Sequence, residues 1–306
     1  MKKEIAIVGL GKMGAGIARR LLENGWVVHG FDASQATVEA LSNEGLKGAR
    51  SLSELVQALP QPRLIWLMAP HGEIVEKIIF GENGLTTLLS ADDIVIDGAN
   101  SFYKDAIRRG QKLKEKGIHF MDVGVSGGLK VAREGACLMV GGDEAIFKNT
   151  EPLFQDLANS NGYAFFQGHG AGHFVKMVHN GIEYGMMQTL AEGFELLKKS
   201  DYHLNLSKIA EVYNQGSIIE SKLVGWLANA LKQDGEDLDG ISAVVGHTGE
   251  GEWTAQTAKE MGVDVQSIEQ AFKFRVDSAK NPRFAGKVVS ALREQFGGHD
   301  VKEKSA

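Results

Sequence analysis

Apolar residues fall in two rhythms along this chain. Through the first half they come in short runs of strand length, at 5–8, 26–31, 64–68, 94–96, 119–123, 137–140 and 163–166. Amphipathic stretches of helix length lie between these runs, as from the first run to residue 22, from about 73, up to about 116 and over about 143–158. Strands alternating with helices argue a mostly parallel, doubly wound sheet. From about residue 168 the strand rhythm stops, and helical patterns follow at about 170–199, 205–214, 218–232, 253–260, 265–280 and 285–295. The expected fold class is α/β, a sheet domain over 1–167 followed by an all-α domain over 168–306. The closing Phe296-Gly297-Gly298-His299 and the charged tail after it are not expected to pack as core.

The first apolar run leads directly into Gly9-Leu10-Gly11-Lys12-Met13-Gly14 and then into a helical pattern. Strand, glycine turn and helix in that order are the context a dinucleotide fingerprint requires, so the sheet reads as a Rossmann-type domain. The first glycine permits the tight turn, the second lets backbone approach a pyrophosphate, and the third lets helix and strand pack closely. Asp32 ends the second run, where a carboxylate can accept hydrogen bonds from an adenosine ribose; a helix cap or turn residue is the alternative use. Ala33, Ser34 and Gln35 supply no cation for a 2′-phosphate, which favours NAD over NADP. Met68-Ala69-Pro70, Asn100 and Ser126-Gly127-Gly128 all follow strand runs, where ligands of such sheets sit. Ser126-Gly127-Gly128 can offer a hydroxyl and consecutive backbone N–H groups to a carboxylate, or can be a plain turn.

Residues 168–184 read GHGAGHFVKMVHNGIEY. Lys176, His179, Asn180 and Glu183 stand at i, i+3, i+4 and i+7, which places an amine, an imidazole, an amide and a carboxylate on one helical face. Val175, Val178, Ile182, Met186, Leu190, Phe194 and Leu197 make the remaining faces apolar, the mark of a buried helix. A surface ion pair is the alternative to a functional stripe. His169 and His173 are also four apart, but the glycines around them and the missing zincin glutamate favour helix-entry histidines over metal ligands.

Composition narrows the classes. The formal charge of −6 comes with no basic cluster of the kind nucleic acid requires. No apolar run reaches about 18 residues, so no membrane span is expected. The lone Cys137 excludes an intrachain disulfide, which fits a cytoplasmic location; a buried structural thiol is its expected role.

GLGKMG, the Gly-Ala-Asn before Ser101, DVGVSGG at 122–128, GAGHFVKMVHNGIEY at 170–184, GEGEWT at 249–254 and REQFGGH at 293–299 together resemble the decarboxylating 6-phosphogluconate dehydrogenases over nearly the whole chain. The short length is similar to the short-chain branch. The resemblance implies Lys176 as catalytic lysine and Glu183 as catalytic acid. It implies Asn100, Ser126, Gly127, Gly128, His179, Asn180 and Tyr184 as substrate contacts, and Arg275 as a holder of the substrate phosphate. Arg293 and His299 match tail residues that reach into a neighbouring subunit, which implies a homodimer or homotetramer with tail exchange. Gly9, Leu10, Gly11, Lys12, Met13, Gly14, Asp32, Met68, Ala69, Pro70 and Asn100 would hold the cofactor. Where the long form binds phosphate with a lysine and a threonine, this chain offers Thr248 and Glu250, and a glutamate needs a cation between itself and a phosphate. The long form carries an arginine for NADP after the second strand; Asp32 agrees with NAD.

The implied activity is conversion of 6-phospho-D-gluconate and NAD to D-ribulose 5-phosphate, carbon dioxide and NADH, without a metal, in the pentose phosphate pathway and gluconate use. Lys176 would have to be neutral to act as base, which burial favours. Glu183 would have to stay protonated until it donates. Two other readings stand beside it: a β-hydroxyacid dehydrogenase of the 3-hydroxyisobutyrate type, and a non-catalytic dinucleotide sensor.

Overall fold

The structure is a computed structural model that describes residues 2–128, 134–298, 300 and 301. Contacts divide the chain into two units, Met1–Lys176 and Met177–Ala306. The division falls inside a helix, some residues beyond the 167/168 boundary that the change of rhythm marks.

The first unit carries one eight-stranded sheet among the described residues, in the order β3-β2-β1-β4-β5-β6-β7-β8. Its strands are β1 (Glu4–Val8), β2 (Val27–Phe31), β3 (Lys47–Gly48), β4 (Leu64–Leu67), β5 (Ile94–Asp97), β6 (His119–Ser126), β7 (Ala136–Gly142) and β8 (Ala158–Gln167). All pairings are parallel except β6 with β7. Helices α1 (Lys12–Glu23), α2 (Gln35–Ser42), α3 (Leu52–Gln57), α4 (Glu73–Phe80), α5 (Leu85–Leu88), α6 (Tyr103–Lys114) and α7 (Glu144–Leu157) complete it. The strand runs look uniformly apolar because both faces are buried. Ile5 and Ile7 join one core cluster, Ala6 and Val8 the other, as a period of two demands.

Two details depart from the sequence reading. β3 is two residues long and carries no apolar signal. β8 starts at Ala158, before its apolar run, because Ala158 already pairs with Ala136; a register shift then passes over Asn159 to Gly162 before the ladder resumes at Leu138 and Tyr163. Cys137 is a correction: it is exposed. Ala136 and Leu138 on either side are buried, so the pleat turns Cys137 to the other face at the start of β7.

The second unit is helical. α8 (Ala171–Lys198) enters it, followed by α9 (Leu206–Tyr213), α10 (Lys222–Asp234), α11 (Glu250–Met261), α12 (Gln266–Asp277) and α13 (Phe284–Gly297). α10 begins at 222 rather than 218 because Ser221 caps it, its side chain accepting from the Val224 N–H. The core gathers Met187, Ala191 and Phe194 of α8 with Leu227 and Leu231 of α10 and Val288 and Leu292 of α13. Two expectations fail here. α8 is not buried all round: Ile182, Met186 and Leu196 are 53%, 46% and 74% exposed. A single helix has one stripe facing its own core, and an apolar sequence alone does not say which residues lie outside it. The tail also packs. Phe296 stacks obliquely on Trp226, and Val301 is buried with its carbonyl accepting from the Ser242 N–H at 2.8 Å. Among the described residues no helix is long and apolar enough to cross a membrane.

Candidate active site

The first unit's crevice is built from backbone. β1 lies between β2 and β4, so the chain connections diverge there, and ligands of open sheets bind at such a point. Gly9 has a φ of 93°, and a Cβ on it would lie 2.5 Å from the Met68 carbonyl oxygen. A Cβ on Gly14 would run into the Gly9 carbonyl oxygen. Gly11 is different: a Cβ there would meet no protein atom within 4 Å. Packing does not require that glycine, and its bareness leaves room for a ligand before the first N–H groups of α1. The observed cradle therefore fits a dinucleotide pyrophosphate.

Asp32 closes the crevice. Its carboxylate accepts from the Leu10 N–H at 2.7 Å and from the Ser34 N–H at 2.8 Å. It thus ties the glycine loop to the end of β2. The cap of α2 is Ser34, not Asp32. Met68 stands beside Gly9, its N–H donating to the Val8 carbonyl at 2.8 Å, and brings Ala69 and Pro70 to the same end of the sheet.

The Asn100 loop is held from below by a charged network. Asp97 ends β5 and is fully buried. It accepts from the Ala99 N–H, the Ser101 hydroxyl and Arg109 Nη1, at 3.1, 3.0 and 2.9 Å. Arg109, also fully buried, donates from Nε to Glu76 at 2.6 Å. Burial raises the Glu76 carboxyl, but hydrogen bonds from Arg108 and Arg109 outweigh it and leave it below its ordinary value. The sequence reading had no signal for this network; charged residues at 76, 97 and 109 look like solvated surface until the fold stacks them.

β6 ends at Ser126, and Gly127 and Gly128 follow with φ of 131° and 71°, positions that suit glycine alone. Lys176 packs against this strand: a Cβ on Gly124 would strike the Lys176 Cβ and lie 2.9 Å from its Cγ. Asp122, fully buried, accepts from the Gly170 N–H at 2.6 Å and the His173 N–H at 2.8 Å. Burial pushes its carboxyl up, while His173 and those two N–H groups pull it back. His173 is 1% exposed, and neither ring nitrogen has a hydrogen-bond partner among the described residues. The described residues hold no group of three His, Cys, Asp or Glu side chains placed for a metal.

The second unit contains a separate cluster of charge. Tyr184 on α8, Glu250 on α11, Arg275 on α12 and Arg293 on α13 are 6%, 6%, 4% and 8% exposed. The Arg275 guanidinium carbon lies 3.3 Å from the centroid of the Tyr184 ring, and Nη2 donates to the Met187 sulfur at 3.5 Å. Burial pushes Arg275 down to about 10, with Tyr184, Glu183 and Glu250 opposing it. Burial also lowers Arg293 and raises the Tyr184 phenol. Thr248 donates to Glu250 at 2.6 Å. A Cβ on Gly251 would lie 2.5 Å from the Tyr184 ring, so that glycine lets α11 close on it. Further along α8, the His179 Nδ1 lies 3.0 Å from the Asn180 amide oxygen and 3.8 Å from Glu183.

Two family descriptions match this chain in succession. Residues 4–168 match the NAD binding domain of 6-phosphogluconate dehydrogenase, and residues 172–305 match the 6-phosphogluconate dehydrogenase C-terminal domain. The chain belongs to the 6-phosphogluconate dehydrogenase family. YqeC of Bacillus subtilis, provisionally named a 6-phosphogluconate dehydrogenase, is 43% identical over 98% of this chain and 100% of its own length. The NAD(+)-dependent, decarboxylating 6-phosphogluconate dehydrogenase of Haloferax volcanii is 36% identical over 98% of this chain and 99% of its own. Among solved structures, the 6-phosphogluconate dehydrogenase of Plasmodium falciparum, determined with NADP+ and with 6-phosphogluconate, superposes with a TM-score of 0.81 at 26% identity. That match covers 92% of this chain and 65% of the longer Plasmodium chain.

As a dehydrogenase of the 6-phosphogluconate dehydrogenase family, the protein has a nicotinamide-dinucleotide-binding first unit. Within that unit the sheet brings Gly9, Gly11, Gly14, Asp32 and Met68 together, and Ser126 with Lys176 lies at the end of β6. Within the second unit Tyr184, Arg275 and Arg293 come together from three helices. Arg293 is buried in the same cluster as Tyr184 of its own chain, whose charge acts on it. His299 lies outside the described residues. The sequence reading missed Asp122, although it stands in the quoted DVGVSGG; a carboxylate within an apolar strand run was the available signal.

Proposed function

We propose that this enzyme oxidatively decarboxylates 6-phospho-D-gluconate to D-ribulose 5-phosphate and carbon dioxide, with NAD as oxidant and with copies of the chain forming a homo-oligomer. The observation that carries the substrate is the buried pair Arg275 and Arg293. A ring face and a thioether are weak partners for a desolvated guanidinium, and a phosphate dianion would be a strong one. Asp32, followed in sequence by Ala33, Ser34 and Gln35 and no cation, supports NAD over NADP.

Gly9, Gly11, Gly14 and Asp32 would hold NAD, which when bound would supply the acceptor for the hydride of C3 of the sugar acid. Lys176 Nζ takes the C3 hydroxyl proton as the ketone forms. The ketone is then β to the carboxylate, whose C–C bond breaks to release carbon dioxide. The protonated Lys176 stabilises the enolate oxygen left behind. Glu183 delivers a proton to the former C2, which becomes C1 of ribulose 5-phosphate. Ser126, Gly127 and Gly128 orient the carboxylate, with Asn100, His179 and Asn180 on the hydroxyls.

The test is purified protein with 6-phosphogluconate, gluconate or 3-hydroxyisobutyrate, each with NAD and NADP. NADH and equimolar carbon dioxide from 6-phosphogluconate are expected. Turnover of 3-hydroxyisobutyrate without carbon dioxide would place the enzyme with that other class, and no reduction on any acid would favour a sensor. Lys176→Ala should lower kcat by roughly a thousandfold while NADH binding is retained.

A further inference from the structure

We infer that Asp122 and Gly124 are positioning residues that fix the Lys176 amine in register with the end of β6. The inference rests on Lys176 being the base. Asp122, Gly124 and Ser126 alternate along β6 and so share one face. The first turns of α8 lie on that face.

Asp122 sets the helix along its axis. The first N–H groups of a helix have no partner within it. Elsewhere in the fold they are served by local surface residues, Ser34 for α2 and Ser51 for α3. For α8 the acceptor comes from inside the sheet, 48 and 51 residues earlier in the chain, and it is fully buried. Such a bond couples the start of α8 to one point of one strand.

Glycines set the approach. A Cβ on Gly141 of β7 would lie 2.5 Å from the Gly172 nitrogen and 2.6 Å from Asp122 Oδ1. A Cβ on Gly172 would lie 2.6 Å from the Asp122 carbonyl oxygen. Bare backbone on both sides lets α8 rest on the strands, and the missing side chain of Gly124 is filled by the stem of Lys176. One turn separates the anchored amides from Lys176, so a shift at the anchor is passed on to the amine nearly undiminished. A misplacement of about 1 Å at a reacting group can lower a rate by about a hundredfold.

Asp122→Asn keeps the size but presents an amide nitrogen to one of the two N–H groups. Gly124→Ala leaves both bonds and pushes the lysine stem. Below the melting temperature each variant should lose kcat by about 10- to 100-fold, with the KM for 6-phosphogluconate and the Kd for NADH within about twofold of wild type. A variant that melts earlier but keeps kcat per folded molecule would overturn the inference, as would loss of NADH binding in step with kcat. If Asp122→Asn does not fold, Gly124→Ala decides alone. If Lys176→Ala keeps its rate, the base assignment has failed; if it is inactive while both positioning variants turn over normally, only this inference has failed.

Discussion

Each unit buries an arginine, and the two are surrounded in opposite ways. Arg109 in the first unit meets Asp97, Glu76 and the Ser101 hydroxyl, all at 2.9 Å or less. Arg275 in the second unit meets an aromatic face and a sulfur. Both have lost water, but Arg109 is hydrogen-bonded to two carboxylates, whereas Glu183 and Glu250 act on Arg275 only through space. An arginine hydrogen-bonded to two carboxylates is a strut, here under the Asn100 loop. An arginine left against soft partners keeps its capacity to bind an anion, the role proposed above for Arg275.

The comparison can be broken most easily at Arg109. Arg109→Ala leaves Asp97 without its cation and Glu76 with Arg108 alone, and stability should fall by about 3–5 kcal/mol in urea unfolding. A drop below about 1 kcal/mol would mean the network is slack. Arg275→Met should do the reverse. Folding stability should change little, because a desolvated charge has been removed, while the KM for 6-phosphogluconate rises by about 30- to 100-fold. A large stability loss with unchanged KM would make Arg275 a second strut.

The glycine crevice offers a smaller test of space kept for a ligand. Gly11→Ala should leave the melting temperature unchanged, since nothing in the protein meets the new methyl group. NAD binding should weaken by about tenfold, or about 1.4 kcal/mol, in a fluorescence titration. Equal binding would show that the pyrophosphate does not pass there. The smallest effect belongs to Glu76. Its carboxyl is held below the ordinary 4.5, so its contribution is present above that value and is lost as pH falls from 4.5 through the folded value. The stability difference between wild type and Glu76→Gln should be about 1 kcal/mol at pH 7 and should vanish in acid. A difference independent of pH would remove the ion pair from the account.

How much could be read beforehand follows from the range of each interaction. The Gly9 to Asp32 crevice is local: one strand, one turn, one helix and the next strand, with each glycine demanded by a nearby backbone atom or by a ligand's approach. The spacing of Lys176, His179, Asn180 and Glu183 was equally plain, since helix geometry fixes it. Burial was not. Ile182 and Met186 read as core and are exposed, whereas Val301 read as tail and is core. Asp97, Arg109 and Asp122 carried no local sign of burial and form the buried supports of the site.

Residue order alone determined the alternation of strands and helices, the glycine turn and the face that carries Lys176 with Glu183, because each depends on neighbours within a few turns of chain. Tertiary structure decided which charges are buried and what they meet. That depends on desolvation and on partners brought from distant segments, such as Asp122 to Gly170 or Arg275 to Tyr184, and no local spacing encodes such a meeting.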